Sequence, residues 1–271
     1  MAKQNHPASL LIVATAMCAA LYAVGCYATA YIPSPWGFGQ FRPAVLIPAF
    51  FGAIFGPLPA AMGAAAGTLI ADSTKHATLY MGSLLAAVPG NFIGFYIFGY
   101  ILKKKFNWTR YIVASIVSLI VSNLIVAFLY VFLFKALYME ALAFSLDSLT
   151  LISLGLAIYW FVVMLPFVLL VTPLLIRIVS YAMPTIVPEE VRVTSLETEF
   201  PKTSFSLAMV IPGLVMLFLG LATTFTQLGD FTRDASKLSS TLMIELMYYV
   251  GGVTLIVIGL AALVKQKTEK S

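Results

Sequence analysis

The chain has 271 residues, 61% of them hydrophobic and 10% charged, with a formal charge of +5 and a mean hydropathy of +0.98. That leaves too little polar surface to coat a soluble globule of this length, so the composition excludes a water-soluble domain and points to an all-α integral membrane protein. In such a protein the basic residues report orientation in the bilayer, and no nucleic-acid partner is implied.

The first apolar segment, residues 8–32, outruns the core of a cleavable signal and reads as a retained span. It carries two overlapping small-residue pairs, Ala16/Ala20 and Ala19/Ala23, at the spacing that lets helix backbones approach closely. Such pairs serve either packing within a bundle or docking on another membrane subunit. Cys18 and Cys26 lie about 12 Å apart along one helix, too far for a disulfide.

An aromatic loop, YIPSPWGFGQFRP, follows with Tyr31, Trp36, Phe38 and Phe41 ahead of Arg42. These rings form either an interfacial belt or, together with the loop's prolines and glycines, a structured cap able to stack on a flat ligand, with Arg42 available for an anionic group. Both readings can hold together.

Residues 42–72, RPAVLIPAFFGAIFGPLPAAMGAAAGTLIAD, make a poor single span. One helix of that length would run about 46 Å, and Pro57 and Pro59 would remove backbone hydrogen bonds where no water replaces them. A reversal at Gly56-Pro57 is the better reading; it returns Asp72 to the end where Arg42 lies. Further apolar segments at 79–102, 111–134, 151–176, 206–228 and 241–264 bring the total to eight membrane helices.

Thr68, Asp72, Asn91, Asn123, Gln227 and Glu245 lie within or beside these spans, where polar side chains are costly and suggest function. The predicted topology brings Asp72 and Asn91 to a similar depth as Tyr159 and Trp160. With Trp36 and Arg42 from the aromatic loop, these are the expected substrate-binding residues.

With both termini cytoplasmic, Lys3, Lys103, Lys104, Lys105, Arg110, Arg177, Arg192, Lys202, Lys265, Lys267 and Lys270 fall inside, against Arg42, Lys75, Lys135, Arg233 and Lys237 outside. That is the asymmetry expected of a cell-membrane protein. The polar insert of residues 181–204, with Pro184, Pro188 and Pro201, reads as a cytoplasmic linker between a core of residues 1–180 and a C-terminal helix pair of residues 205–271.

The chain has no GxxxxGK[ST] phosphate loop and so hydrolyses no nucleotide through that fold. Its two histidines, His6 and His76, with two helix-buried thiols, make no ordinary zinc site. No base-partnered nucleophile stands out, and neither a cofactor nor a metal is expected.

The stretch from Arg42 to Asp72 resembles the second and third helices of the S components of energy-coupling factor (ECF) transporters, membrane subunits that bind a vitamin or other micronutrient. The Ala16/Ala20 and Ala19/Ala23 pairs resemble the alanine motif by which the first helix of those proteins docks. The resemblance covers six helices, about residues 8–180. It implies a six-helix substrate-binding bundle, a pocket opening outward, a transmembrane coupling subunit docked at Ala16, Ala19, Ala20 and Ala23, and two ATPase subunits that supply the energy. Metal-carrying relatives use an N-terminal histidine that is missing at position 2, so an organic substrate is expected. The two extra C-terminal helices depart from the family core. An ion-coupled secondary transporter working through Asp72 or Glu245 is the alternative, and an intramembrane enzyme the third reading.

Overall fold

A computed structural model describes residues 6–268 apart from 38, 143, 197, 237 and 238. Lys3, Phe38, Lys237 and Lys270 thus lie outside the described residues. The described chain is α-helical, and its only extended pairing is a single bridge between Pro33 and Gln40.

Six continuous helical segments are long and apolar enough to cross a membrane: 8–28, 83–103, 108–138, 146–182, 202–225 and 242–264. The first is α1 (Ala8–Ala28). Between it and the second stand α2 (Leu46–Phe55) and α3 (Pro57–His76), so the reversal is real. Gly56 makes it with φ +87°, a conformation that side-chain-bearing residues rarely adopt, and Pro57 then starts α3 where its missing N–H costs nothing. A straight helix would hold Arg42 and Asp72 roughly 45 Å apart; instead their side chains form an ion pair at 2.5 Å.

The N-terminal end of α1 lies beside this turn, since His6 Nε2 is 3.3 Å from the Ile54 carbonyl oxygen. The C-terminal end of α4 (Val88–Lys103) lies there too, because a side chain at Gly99 would strike Pro57. The loops 29–42 and 77–82 therefore occupy the opposite end of the bundle.

α3 packs along α1 through small residues. Gly63 faces Cys18 and the Ala19 amide, and Gly67 faces the Ala19 carbonyl and Tyr22. Of the four alanines expected at the docking face, Ala19 and Ala23 are buried against the chain's own helices, while Ala16 and Ala20 stay exposed beside Ile12, Met17 and Val24. A helix repeats every 3.6 residues, so neighbouring small-residue pairs point in different directions.

α5 (Trp108–Phe128) widens into a π-helical segment, Leu129–Tyr138. A second π turn, Ser83–Ala87, precedes α4 with its Pro89, and a third, Phe167–Val171, joins α6 (Leu146–Pro166) to α7 (Thr172–Ala182) between Pro166 and Pro173. In these last two, proline donates no hydrogen bond and the helix relaxes into the wider turn beside it.

Residues 181–204 do not hang free. They include α8 (Glu189–Val193), bury Val187 and Val191, and receive a hydrogen bond of 3.0 Å from the Trp108 indole at the Ser195 carbonyl. Arg177 lies over the Trp108 ring at 5.6 Å and donates to the Arg192 carbonyl at 2.8 Å. Beyond come α9 (Lys202–Phe225), α10 (Gln227–Ser236) and α11 (Leu242–Thr268). Gln227, expected at the edge of a span, opens the amphipathic α10. α9 and α11 run antiparallel in close contact, Gly213 against Gly252. Glu245 is held within this pair by the hydroxyls of Thr241 at 2.6 Å and Thr224 at 3.2 Å.

Candidate ligand-binding site

At the end of the bundle that carries the 29–42 loop, a cavity of about 390 Å³ lies between that loop and α3 to α6, within the size range of small-molecule sites. One wall is the ion pair. Arg42 donates to both Asp72 oxygens at 2.5 and 2.6 Å and also to Thr68, and Asp72 further accepts from Ser83 and from Gln40 at 2.7 Å. Every one of these groups is buried. Removing two charges from water is repaid only when partners surround them in this way.

Gln40 ties the loop down. Its amide joins Asp72 to Lys75, whose ammonium donates to Gln40 Oε1 at 3.1 Å, and its carbonyl accepts from Trp160 Nε1 at 2.9 Å. Gly39, with φ +79°, sits against Trp160; a Cβ there would lie 2.9 Å from the indole ring. The loop thus adopts a shape only glycine allows so that Trp160 can form the cavity wall.

The deep end is an amide cluster. Asn91 Oδ1 accepts from Ser122 at 3.2 Å, and Asn123, 4% exposed, presents an Nδ2 with no protein partner. Tyr80 and Tyr130 form another side, their hydroxyls 3.1 Å apart, with His76 stacked on Tyr80 at 4.0 Å and nearly parallel. Burial pushes the Tyr80 phenol above its ordinary pKa, so it stays a neutral hydrogen-bonding group at physiological pH. Two of the three π-helical segments line the cavity, one through Ser83 and Ala87 and the other through Tyr130 and Lys135. Widened turns of this kind recur at functional sites.

Four of the six residues expected from the sequence come together here: Arg42, Asp72, Asn91 and Trp160 line the cavity, and Trp36 and Tyr159 do not. Trp36 is buried against Gly155 of α6, where it braces the loop from behind. Tyr159 precedes Trp160 on the same helix; successive residues point about 100° apart, so only one of the two can face the cavity. Sequence reasoning missed Gln40, Lys75, Tyr80, Tyr130 and Lys135 as lining groups. Lys135, a lone cation in an apolar segment, was the most readable of these signals.

The chain matches the family model of the ECF-type riboflavin transporter S component over residues 8–179. No curated protein and no solved structure matches it. That family is one of transporter subunits, not enzymes, which removes the intramembrane-enzyme reading. The match spans α1 to α7 and includes every side chain that lines the cavity, and the chain therefore belongs to the family of ECF-type riboflavin transporter S components.

Proposed function

We propose that this protein is the substrate-binding subunit of an ECF-type importer, and that its cavity holds a planar heterocyclic vitamin, riboflavin, awaiting ATP-driven uptake by a separate coupling module. The observation that carries this reading is Asn123: a buried amide with no protein partner, at the inner end of a cavity walled by Trp160, Tyr80 and Tyr130. An unsatisfied buried donor costs about 1–3 kcal/mol, and a ring carbonyl between aromatic walls would satisfy it. Family membership supports the same ligand.

In this proposal Arg42, Asp72, Asn91 and Trp160 shape the site, while Trp36 and Tyr159 support it from outside. Ala16 and Ala20 form the exposed docking stripe for the coupling subunit, to which two ATPases attach. The end bearing Lys103, Lys104, Lys105, Arg110, Arg177, Arg192 and Lys202 faces the cytoplasm with both termini, following the basic-residue asymmetry. Residues 1–180 act as the binding core, 181–204 as a strap, and 205–271 as an added helix pair.

The test is direct titration of the purified protein with riboflavin, followed by quenching of flavin fluorescence. Saturable one-to-one binding without turnover is the expected result. An absence of quenching, with no flavin released when protein from the native membrane is denatured, would overturn the reading.

A further inference from the structure

Charge around the cavity does not balance. Arg42 and Asp72 satisfy each other, which leaves Lys75 and Lys135 lining the same space with no carboxylate partner among the described residues. Lys75 meets only neutral acceptors, the Ala30 carbonyl and Gln40 Oε1, and lies 5.4 Å from the centre of the Tyr31 ring. Lys135 sits over Tyr130 and Phe134 at 5.8 and 5.5 Å. His76 lines the same cavity as both lysines.

A lysine within the apolar segment Trp108–Tyr138 is an expensive residue, and two aromatic faces return only part of that cost. Lys135 makes no ion pair that the fold requires. The distance along α5 matters as well: from Asn123 to Lys135 is roughly 15–18 Å by helical rise, so the cavity is elongated, with amides at the inner end and ammonium groups at the outer.

We propose that Lys75 and Lys135 bind a phosphate monoester on the ligand's tail while its ring reaches Asn91 and Asn123. This rests on the flavin reading above and narrows it. The ribityl chain of riboflavin is uncharged, whereas a phosphate monoester carries about −1.5 to −2 charge at neutral pH, which matches the two free cations. The preferred ligand is thus the 5′-phosphate of riboflavin, and riboflavin itself fills the ring end alone.

The experiment titrates riboflavin and riboflavin 5′-phosphate into the purified full-length protein, Lys135→Met and Lys135→Arg, at low and high salt. The wild type is expected to bind the phosphate at least tenfold tighter. Lys135→Met should abolish that preference, the loss falling on the phosphate ester, and Lys135→Arg should keep it. Raising the salt should weaken only the phosphate ester. Equal affinity of the wild type for both flavins, or a preference that survives in Lys135→Met, overturns this inference and leaves the flavin reading standing. Failure of both flavins to bind the wild type overturns the two together.

Discussion

Arg42 and Asp72, thirty positions apart in the chain, close a buried ion pair at 2.5 Å that fixes the α2–α3 hairpin and forms one wall of the cavity. Removing one partner strands the other's charge, so Asp72→Ala and Arg42→Met should each destabilise the protein by about 3–5 kcal/mol. The double variant should be less destabilised than the sum of the two, because no lone charge is left behind. Thermal unfolding in detergent measures all three.

Gly39 and Gly37 separate conformation from space. Both have positive φ, but a Cβ at Gly37 meets nothing, whereas at Gly39 it collides with Trp160 and Leu156. Gly37→Ala should cost about 1 kcal/mol of strain with little loss of ligand affinity. Gly39→Ala should also displace Trp160 and weaken ligand binding tenfold or more, which a shift in tryptophan emission together with a binding titration would register.

Asn123 trades stability for binding. Asn123→Leu removes an amide with an orphaned Nδ2, so the unliganded protein should be as stable as wild type or more so, while affinity falls by about 1–3 kcal/mol. Melting temperatures with and without ligand decide this. A variant that melts lower without ligand would assign Asn123 a structural role instead.

The two alanine pairs on α1 should respond oppositely. Ala19→Leu pushes bulk into the contact with α3 and should destabilise the fold by about 1–3 kcal/mol. Ala16→Leu and Ala20→Leu alter an exposed stripe; stability and ligand affinity should persist while co-purification of the coupling subunit is lost.

Trp108 anchors the strap, fully buried between Phe106, Tyr111 and Phe200 and donating to the Ser195 carbonyl. Trp108→Ala should cost about 3–5 kcal/mol and should open the 194–201 stretch to protease, read as faster limited digestion there.

Much of this architecture was written in hydropathy and in proline placement. Pro57 and Pro59 made a straight 42–72 helix untenable, and the apolar runs gave the remaining spans, because bilayer thickness imposes a length on each one. The ends were less readable: the helix that starts with α5 runs on to Tyr138 as a π-helical segment, past the apolar window that ends at 134, and its wider geometry lets Lys135 line the cavity. Residues 181–204 looked like a linker since Trp108, which anchors them, is remote in the chain. Within the site, costly intramembrane residues such as Asp72 and Asn91 announced themselves. Gln40 did not, because its role comes from the fold that brings Asp72, Lys75 and Trp160 to it. Tyr159 and Trp160 were equivalent in composition, and only helical phase told them apart.

Below Asn123 the bundle is solid. Phe95, Phe98, Phe106, Trp108 and Tyr111 fill the interior down to the opposite end in tilted and edge-to-face contacts, each nearly inaccessible. A solute resting on the amides faces a stopper roughly 18 Å deep along α5, packed at crystal-like density. The cavity is accordingly a cup and not a tunnel: a solute held in it meets no path along the bundle axis through these rings.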